Sequence, residues 1–528
     1  MDPAPGFEHF DGLANLGPLG PAVGRRLERM QEDQVIARIH AGDHTVWKDD
    51  PTEITNRLGW MTLPADMAPV AGELTAFAGE VAAAGFTRAV LLGMGGSSLA
   101  PEMFARTCGT RPGLLKLTVL DTTHPATIRR VQASIDLPRT LFIVASKSGT
   151  TLETLSHFEH FWAQADTALA DPGGSFVAIT DPGTALDALA TDRGFRQVFR
   201  NPPDLGGRYS ALSLFGLVPG ALIGMDLAAL LASAAKAMAD DRASAWLGAV
   251  MGEGVLAGRD KLTFVLPPAI AAFGDWVEQL VAESTGKEGT GIVPVPGEDL
   301  GPPEVYGTDR LFVALGDNPR LGPLREAGQP VVTLPAPGLQ DLGAQIYRFE
   351  MATAVAGHVL GINAFDQPNV EEAKQATRAI LAGGSLESPD PGDAGALLDG
   401  ARPGDYVAIQ AYLDRTDATA AGLQADRLAI RDRLHVATTL GFGPRFLHST
   451  GQLHKGGPPS GIFLQVTDGP GDGPGPSDVD LEIPGKAFTF GTLIDAQALG
   501  DLKALRSRGR RVARVSLKEM EDLARSST

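Results

Sequence analysis

With Cys108 as its only cysteine in 528 residues, the chain has no second thiol with which to close a disulfide. No Cys/His spacing resembles a zinc site either, so neither disulfides nor a structural metal is expected and a reducing cytoplasm suits it. Positive charge is scarce too: 45 Lys and Arg stand against 63 Asp and Glu, for a net charge of -18. Nucleic acid is gripped through its phosphates by a positive surface, so no nucleic-acid partner is expected, and an anionic small ligand would need a locally built positive site. The first residues, MDPAPGFEHFDG, lack the basic stretch and apolar core of a secretory signal. An uninterrupted apolar span is also missing. The richest run, residues 211–239, is broken by Pro219, Gly220 and Gly224 and charged by Asp226, which predicts buried helices and no membrane partner.

What is present is globular: 43% hydrophobic and 20% charged residues with mean hydropathy near zero. At roughly 100 to 200 residues per domain, the length suggests three or four units. Residues 1–60 read as an N-terminal helical segment. Short apolar runs at 89–93, 117–120, 140–146 and 176–180 then alternate with amphipathic stretches, the pattern of buried parallel strands with helices between them. One doubly wound unit is therefore expected over 61–240. A second, over 241–400, takes strands at 262–266, 311–315 and 331–334, a helix through 276–284 and a helical stretch at 342–381. Gly/Pro/Asp-rich segments at 383–404 and 467–480 punctuate the tail. Strand-like runs at 406–409, 462–466 and 512–515 predict a small C-terminal α/β lobe over 401–528. The fold class is α/β throughout.

Two glycine- and hydroxyl-rich motifs follow predicted strands. In GMGGSSLAPE, 93–102, glycines such as Gly96 let backbone amides approach an anion, and Ser98 is a candidate helix cap. A plain strand-to-helix turn explains the motif as well, and so does dinucleotide binding, with Asp121 at the end of the next strand as the ribose-binding acid. The second motif, SKSGTTLET at 146–154, separates these readings. Capping needs one hydroxyl, whereas Ser146, Ser148, Thr150 and Thr151 surround Gly149, as a phosphate needing several donors requires. Thr150 and Glu153 have capping-box spacing, which predicts a helix start.

The two motifs together resemble the sugar isomerase domain family, and residues 45–385 are similar to glucose-6-phosphate isomerases. The fold this implies is a pair of doubly wound parallel-sheet sugar isomerase domains, with the C-terminal lobe added. The activity it implies is interconversion of glucose 6-phosphate and fructose 6-phosphate through a cis-enediol, with no cofactor and no metal, by a cytoplasmic homodimer. The resemblance places the substrate phosphate on Ser146, Ser148 and Thr151, with Ser97 contributing and Lys147 nearby. In GGRYS, 206–210, it makes Arg208 the cation that stabilises the enediolate, a role suited to a permanent charge. In WVEQLVAESTGKEG, 276–289, Gln279 and Glu283 share a helix face four residues apart while Glu278 lies off it. The resemblance makes Glu283 the general base, and its place near a helix C-terminus tends to raise its pKa. Taken alone, it would pass for a solvated helical carboxylate. In GINAFDQPNVEEAK, 361–374, Gln367 and Lys374 match a family glutamine and ring-opening lysine, with Asp366 a candidate cap.

Family enzymes also use a ring-opening histidine, commonly on a glycine-rich loop from a neighbouring subunit. The corresponding stretch here, PPEVYGTDRLF at 302–312, carries Asp309 and Arg310 instead. The expected replacement is His454 in FLHSTGQLHKGGPPSG, 446–461, a segment that also holds His448, although a polar loop explains both equally well. His157, His160 and His358 read as structural. The C-terminal lobe and the segment at 46–60, VWKDDPTEITNRLGW, resemble the isomerase half of bacterial fusions with transaldolase. Other sugar phosphates of mannose, glucosamine or heptose, or a sugar-phosphate sensor, remain open as alternatives.

Overall fold

Apolar runs with no polar face make strands that must be covered on both sides, and residues 140–145 and 176–180, buried without exception, are used in that way. The structure is a computed structural model that describes residues 8–383, 390–468 and 480–525. After a 3-10 helix at Glu8–Leu13 come a two-residue strand, β1 (Ala14–Asn15), and the helices Gly20–Glu32 and Val35–His40. Parallel strands β2 (Arg88–Gly93), β3 (Lys116–Leu120), β4 (Thr140–Ala145), β5 (Phe176–Thr180) and β6 (Gln197–Arg200) then form a sheet in the order β3-β2-β4-β5-β6. A second sheet joins β7 (Lys261–Val265), β8 (Val293–Val295), β9 (Arg310–Leu315) and β10 (Val331–Leu334), with β1 added antiparallel at its edge, in the order β1-β10-β9-β7-β8. The third contains β11 (Tyr406–Ala411), β12 (Ala437–Phe442), β13 (Gly461–Thr467) and β14 (Arg511–Ser516), all parallel, in the order β12-β11-β13-β14. The expected α/β class is what the chain has.

In the first sheet the strand order reverses beside β2, since β3 lies on one side and β4 on the other. Ligands of doubly wound sheets sit at such reversals, beyond the carboxyl ends of the strands. Gly93 is the register partner of Ala145, so both glycine- and hydroxyl-rich motifs leave the sheet side by side at one level. The apolar run at 211–239 becomes two buried-face helices, Leu214–Ile223 and Leu227–Met238, the first tolerating Pro219 inside it. Among the described residues no helix is long and apolar enough to cross a membrane.

Four strands went unforeseen. β1 has two residues, β6 is largely exposed or half-buried, and β12 mixes threonine and glycine. β8 contains Pro294, tolerable because β8 is an edge strand whose outer side needs no donor. The helical stretch expected at 342–381 is two helices, Leu342–Leu360 and Val370–Leu381. Gly361, at φ 67°, takes the left-handed conformation that ends the first. The glycine-rich punctuation at 383–404 and 467–480 falls partly outside the described residues. N-terminal side chains help seat the core: Trp47 donates to the carbonyl of Ala354 at 2.8 Å, and Trp60 is fully buried against Tyr209 and Tyr347.

Candidate active site

The helix Phe273–Thr285 carries Gln279 and Glu283 on one face, and Gln279 Nε2 donates to Glu283 Oε2 at 3.0 Å. The other carboxylate oxygen lies 3.0 Å from Arg208 Nη1. Glu283 therefore meets a permanent cation, which compensates the negative end of its helix. Arg208, 2% exposed, spends its fork on this neighbourhood. Its Nε donates to Ser284 Oγ at 2.8 Å, Nη1 to Gln367 Oε1 at 2.9 Å, and Nη2 to the carbonyls of Ala364 at 3.1 Å and Asp366 at 2.8 Å. Lys287 fixes the same loop through the Asp366 carbonyl at 2.6 Å and carboxylate at 2.7 Å. Burial and the neighbouring Arg208 pull the Lys287 ammonium down to about 8. Asp366 is thus a loop anchor, not the helix cap expected of it.

Gly96 explains how the first motif reaches this cluster. A Cβ there would stand 2.0 Å from the Gly207 carbonyl oxygen, so only glycine lets this loop pack on the segment carrying Arg208. A Cβ on Gly95 would likewise meet the His448 carbonyl oxygen at 2.8 Å and Gln279 Nε2 at 3.1 Å. Ser97 is buried beside them, while Ser98 turns its hydroxyl back to the Gly95 carbonyl at 3.1 Å and does not cap the helix Leu99–Cys108. Asp121 does not face a ligand. It is buried 3.3 Å from Arg445 of the C-terminal lobe, and burial raises its carboxyl, which removes the support for a ribose-binding acid.

The second motif helps to line a cavity of about 110 Å³. Ser148 and Thr150 expose their hydroxyls there, with Thr151, Lys374 and His448 also in the lining. Gly149, at φ 67° and with no room for a Cβ beside Thr184, makes the turn. Ser146 is sealed inside the loop, bonded to Thr151 Oγ1 at 2.9 Å and to the Gly149 amide at 3.1 Å. The helix Leu152–Ala168 starts without a side-chain cap, leaving its first amides for an anion. Thr150 is consequently not its cap. Glu153 is buried and accepts from His448 Nε2 at 2.9 Å and Gln497 Nε2 at 2.7 Å. Burial opposes its ionisation, yet the imidazole and the hydrogen bonds hold its carboxyl at about 2.

Lys147 does not reach the cavity, because Asp181 and the Pro203 carbonyl hold its ammonium elsewhere. Nor does His454. It lies 4% exposed among Gln410, Phe446 and Phe463, where burial depresses its basicity well below the usual imidazole range. Spacing alone could not separate it from His448, six residues earlier. His157, His160 and His358 bond to the Thr122 carbonyl, Gln132 and the Val46 carbonyl. Sequence reasoning missed Ser284, which adjoins Glu283, Glu153, which was read only as part of a cap, and Gln497, which carries no local signal.

Residues 71–248 match the family model described as phosphoglucose isomerase. A protein of Haloarcula marismortui named probable glucose-6-phosphate isomerase is 30% identical over 345 residues, covering 56% of this chain and 78% of that protein. The chain belongs to the glucose-6-phosphate isomerase family. A glucose-6-phosphate isomerase of Rubrobacter xylanophilus is 29% identical over 435 residues, 70% of this chain and 97% of that protein. Among solved structures, a hypothetical protein of Thermus thermophilus has TM-score 0.59 at 27% identity, covering 70% of this chain and 100% of its own. A glucose-6-phosphate isomerase of Chlamydia trachomatis has TM-score 0.55 at 21% identity, covering 67% of this chain and 84% of its own, a likeness of fold. Within the family frame, the Arg208, Glu283 and Gln367 cluster and the hydroxyl-lined cavity are two parts of one region. Gln279 Nε2 links them by donating also to the His448 carbonyl at 2.7 Å.

Proposed function

We infer that this chain interconverts glucose 6-phosphate and fructose 6-phosphate, with Glu283 as the single base that moves the proton. The observation that carries the reading is the buried Glu283–Arg208 contact, joined through Gln279 and His448 to a cavity lined by hydroxyls. The phosphate sits on Ser148, Thr150 and Thr151 at the uncapped helix start, with Ser146 shaping the loop from within and Ser97 and Gly96 holding the first motif against Arg208. Lys374, across the cavity, assists opening of the sugar ring. Glu283 then removes the proton from the carbon beside the carbonyl. Arg208 stabilises the cis-enediolate, and the same carboxylate returns the proton to the neighbouring carbon. Gln279 and Gln367 keep base and cation in register. The family leads us to expect a cytoplasmic homodimer.

The test is conversion of fructose 6-phosphate to glucose 6-phosphate, read through a coupled dehydrogenase, with a Glu283→Gln control. Turnover in the parent and a loss on the order of 10²–10⁴-fold in the control are expected, the usual scale of a general base. A folded parent that binds the sugar phosphate without turning it over would favour a sensor.

A further inference from the structure

The relatives described above match at most 70% of this chain, and the position of the C-terminal lobe gives the remainder a use. We propose that the lobe completes the active site within a single chain, placing His448 as the residue that opens the sugar ring. This rests on the isomerase reading. His448 is held at both ends by the machinery described above: its carbonyl accepts from Gln279 Nε2 at 2.7 Å, and its Nε2 faces Glu153 Oε1 at 2.9 Å. The same Glu153 oxygen accepts from Gln497 of the lobe, whose own oxygen accepts from Thr123 at 2.7 Å. An ionised carboxylate only accepts, so Nε2 carries a proton, and in the neutral imidazole Nδ1 is left as an acceptor. The side chain is 14% exposed and lines the cavity with Lys374 and the hydroxyl loop.

The ring-opening step is balanced within this one group. Nδ1 takes the proton of the anomeric hydroxyl as the carbonyl forms. The bond from the anomeric carbon to the ring oxygen breaks with its electron pair on that oxygen, and the imidazolium returns the proton there. The stretch at 302–312 is committed elsewhere. Arg310, fully buried, pairs with Glu298 at 2.9 Å, and Glu298 accepts from the Thr438 amide of the lobe at 3.2 Å. Arg310 also donates to the Val436 carbonyl at 3.4 Å, so this stretch packs on the lobe.

Two measurements test this. His448→Gln should lose about 10²-fold or more of its turnover of fructose 6-phosphate. It should keep isomerisation of 5-deoxyfructose 6-phosphate, which lacks the hydroxyl that closes the ring and stays open. Glu153→Gln, the second variant, should split the two substrates in the same way, whereas Glu283→Gln should lose both. Retained turnover in Glu283→Gln would count against the isomerase mechanism itself. Equal loss on both substrates in the folded His448 variant, or loss on neither, would overturn the role. For the single-chain arrangement, differently tagged Glu283→Gln and His448→Gln copies are co-expressed and purified through both tags. If the histidine acts within its own chain, the mixed species stays inactive. Recovered activity would show that a partner supplies it and would sink the proposal. If no mixed species forms, the parent is a monomer, and its full activity supports the same conclusion.

Discussion

Glu350 shows what one buried side chain does to the pH dependence of stability. It lies in the middle of the helix Leu342–Leu360 with no exposure, and neither carboxylate oxygen has a partner. Burial pushes its carboxyl well above the ordinary value of 4.5, so the folded chain keeps a proton that the unfolded chain releases. The stabilisation is complete below the unfolded pKa and is lost as pH rises towards the folded one. Urea midpoints measured from about pH 5 to about pH 8 should therefore fall less in Glu350→Gln than in the parent. Parallel curves would mean that Glu350 does not hold its proton. Nothing in the sequence announces this residue: a glutamate in an Ala/Val-rich helix looks the same whether it faces water or the core.

At the scale of elements, the proposed function makes the hydroxyl loop and the helix after it a binding device more than a catalytic one. On that proposal Ser148 and Thr150 hold only the end of the substrate that does not react. Removing both hydroxyls, as Ser148→Ala with Thr150→Val, should raise KM by about tenfold or more and change kcat little, since each hydrogen bond to a charged group contributes roughly 1.5–3 kcal/mol. A fall in kcat at unchanged KM would place the phosphate elsewhere.

These elements were also the most legible part of the fold. Strands such as β4 and β5 are continuous apolar runs ended by turn formers, and the four-residue spacing of Gln279 and Glu283 fixes a shared helix face before any coordinates. Caps were read less well. Ser98, Thr150 and Asp366 all have capping chemistry, but Ser98 bonds back to Gly95 in its own turn, Thr150 pairs with Ser148 at the cavity, and Asp366 is taken by the distant Lys287. His448 and His454 mark the same limit. Both sit in one glycine-rich segment, and only the packing of Phe446 and Phe463 decides which is enclosed.

For the whole molecule, the question is what keeps the lobe seated on the other two sheets. Glu298 and Arg310 are both fully buried, with Arg431 a further 4.0 Å from the carboxylate, and Thr438 of the lobe donates to it through its hydroxyl at 3.1 Å. Glu298→Gln leaves these buried guanidinium groups without their counter-charge, which should cost about 3–5 kcal/mol. The exposed contact of Arg508 with Glu372 also joins the lobe to the helix Val370–Leu381, but its side chains are 45% and 29% exposed. Removing that charge, as Glu372→Gln, should cost no more than about 1 kcal/mol. The two variants should differ in kind as well as size. If the lobe carries His448 into the site, Glu298→Gln should lose turnover of fructose 6-phosphate at lower urea than it loses far-UV circular dichroism, because undocking the lobe precedes unfolding of the first sheet. Coincident loss of both signals would mean that the three sheets unfold as one unit and that Glu298 stabilises the whole chain.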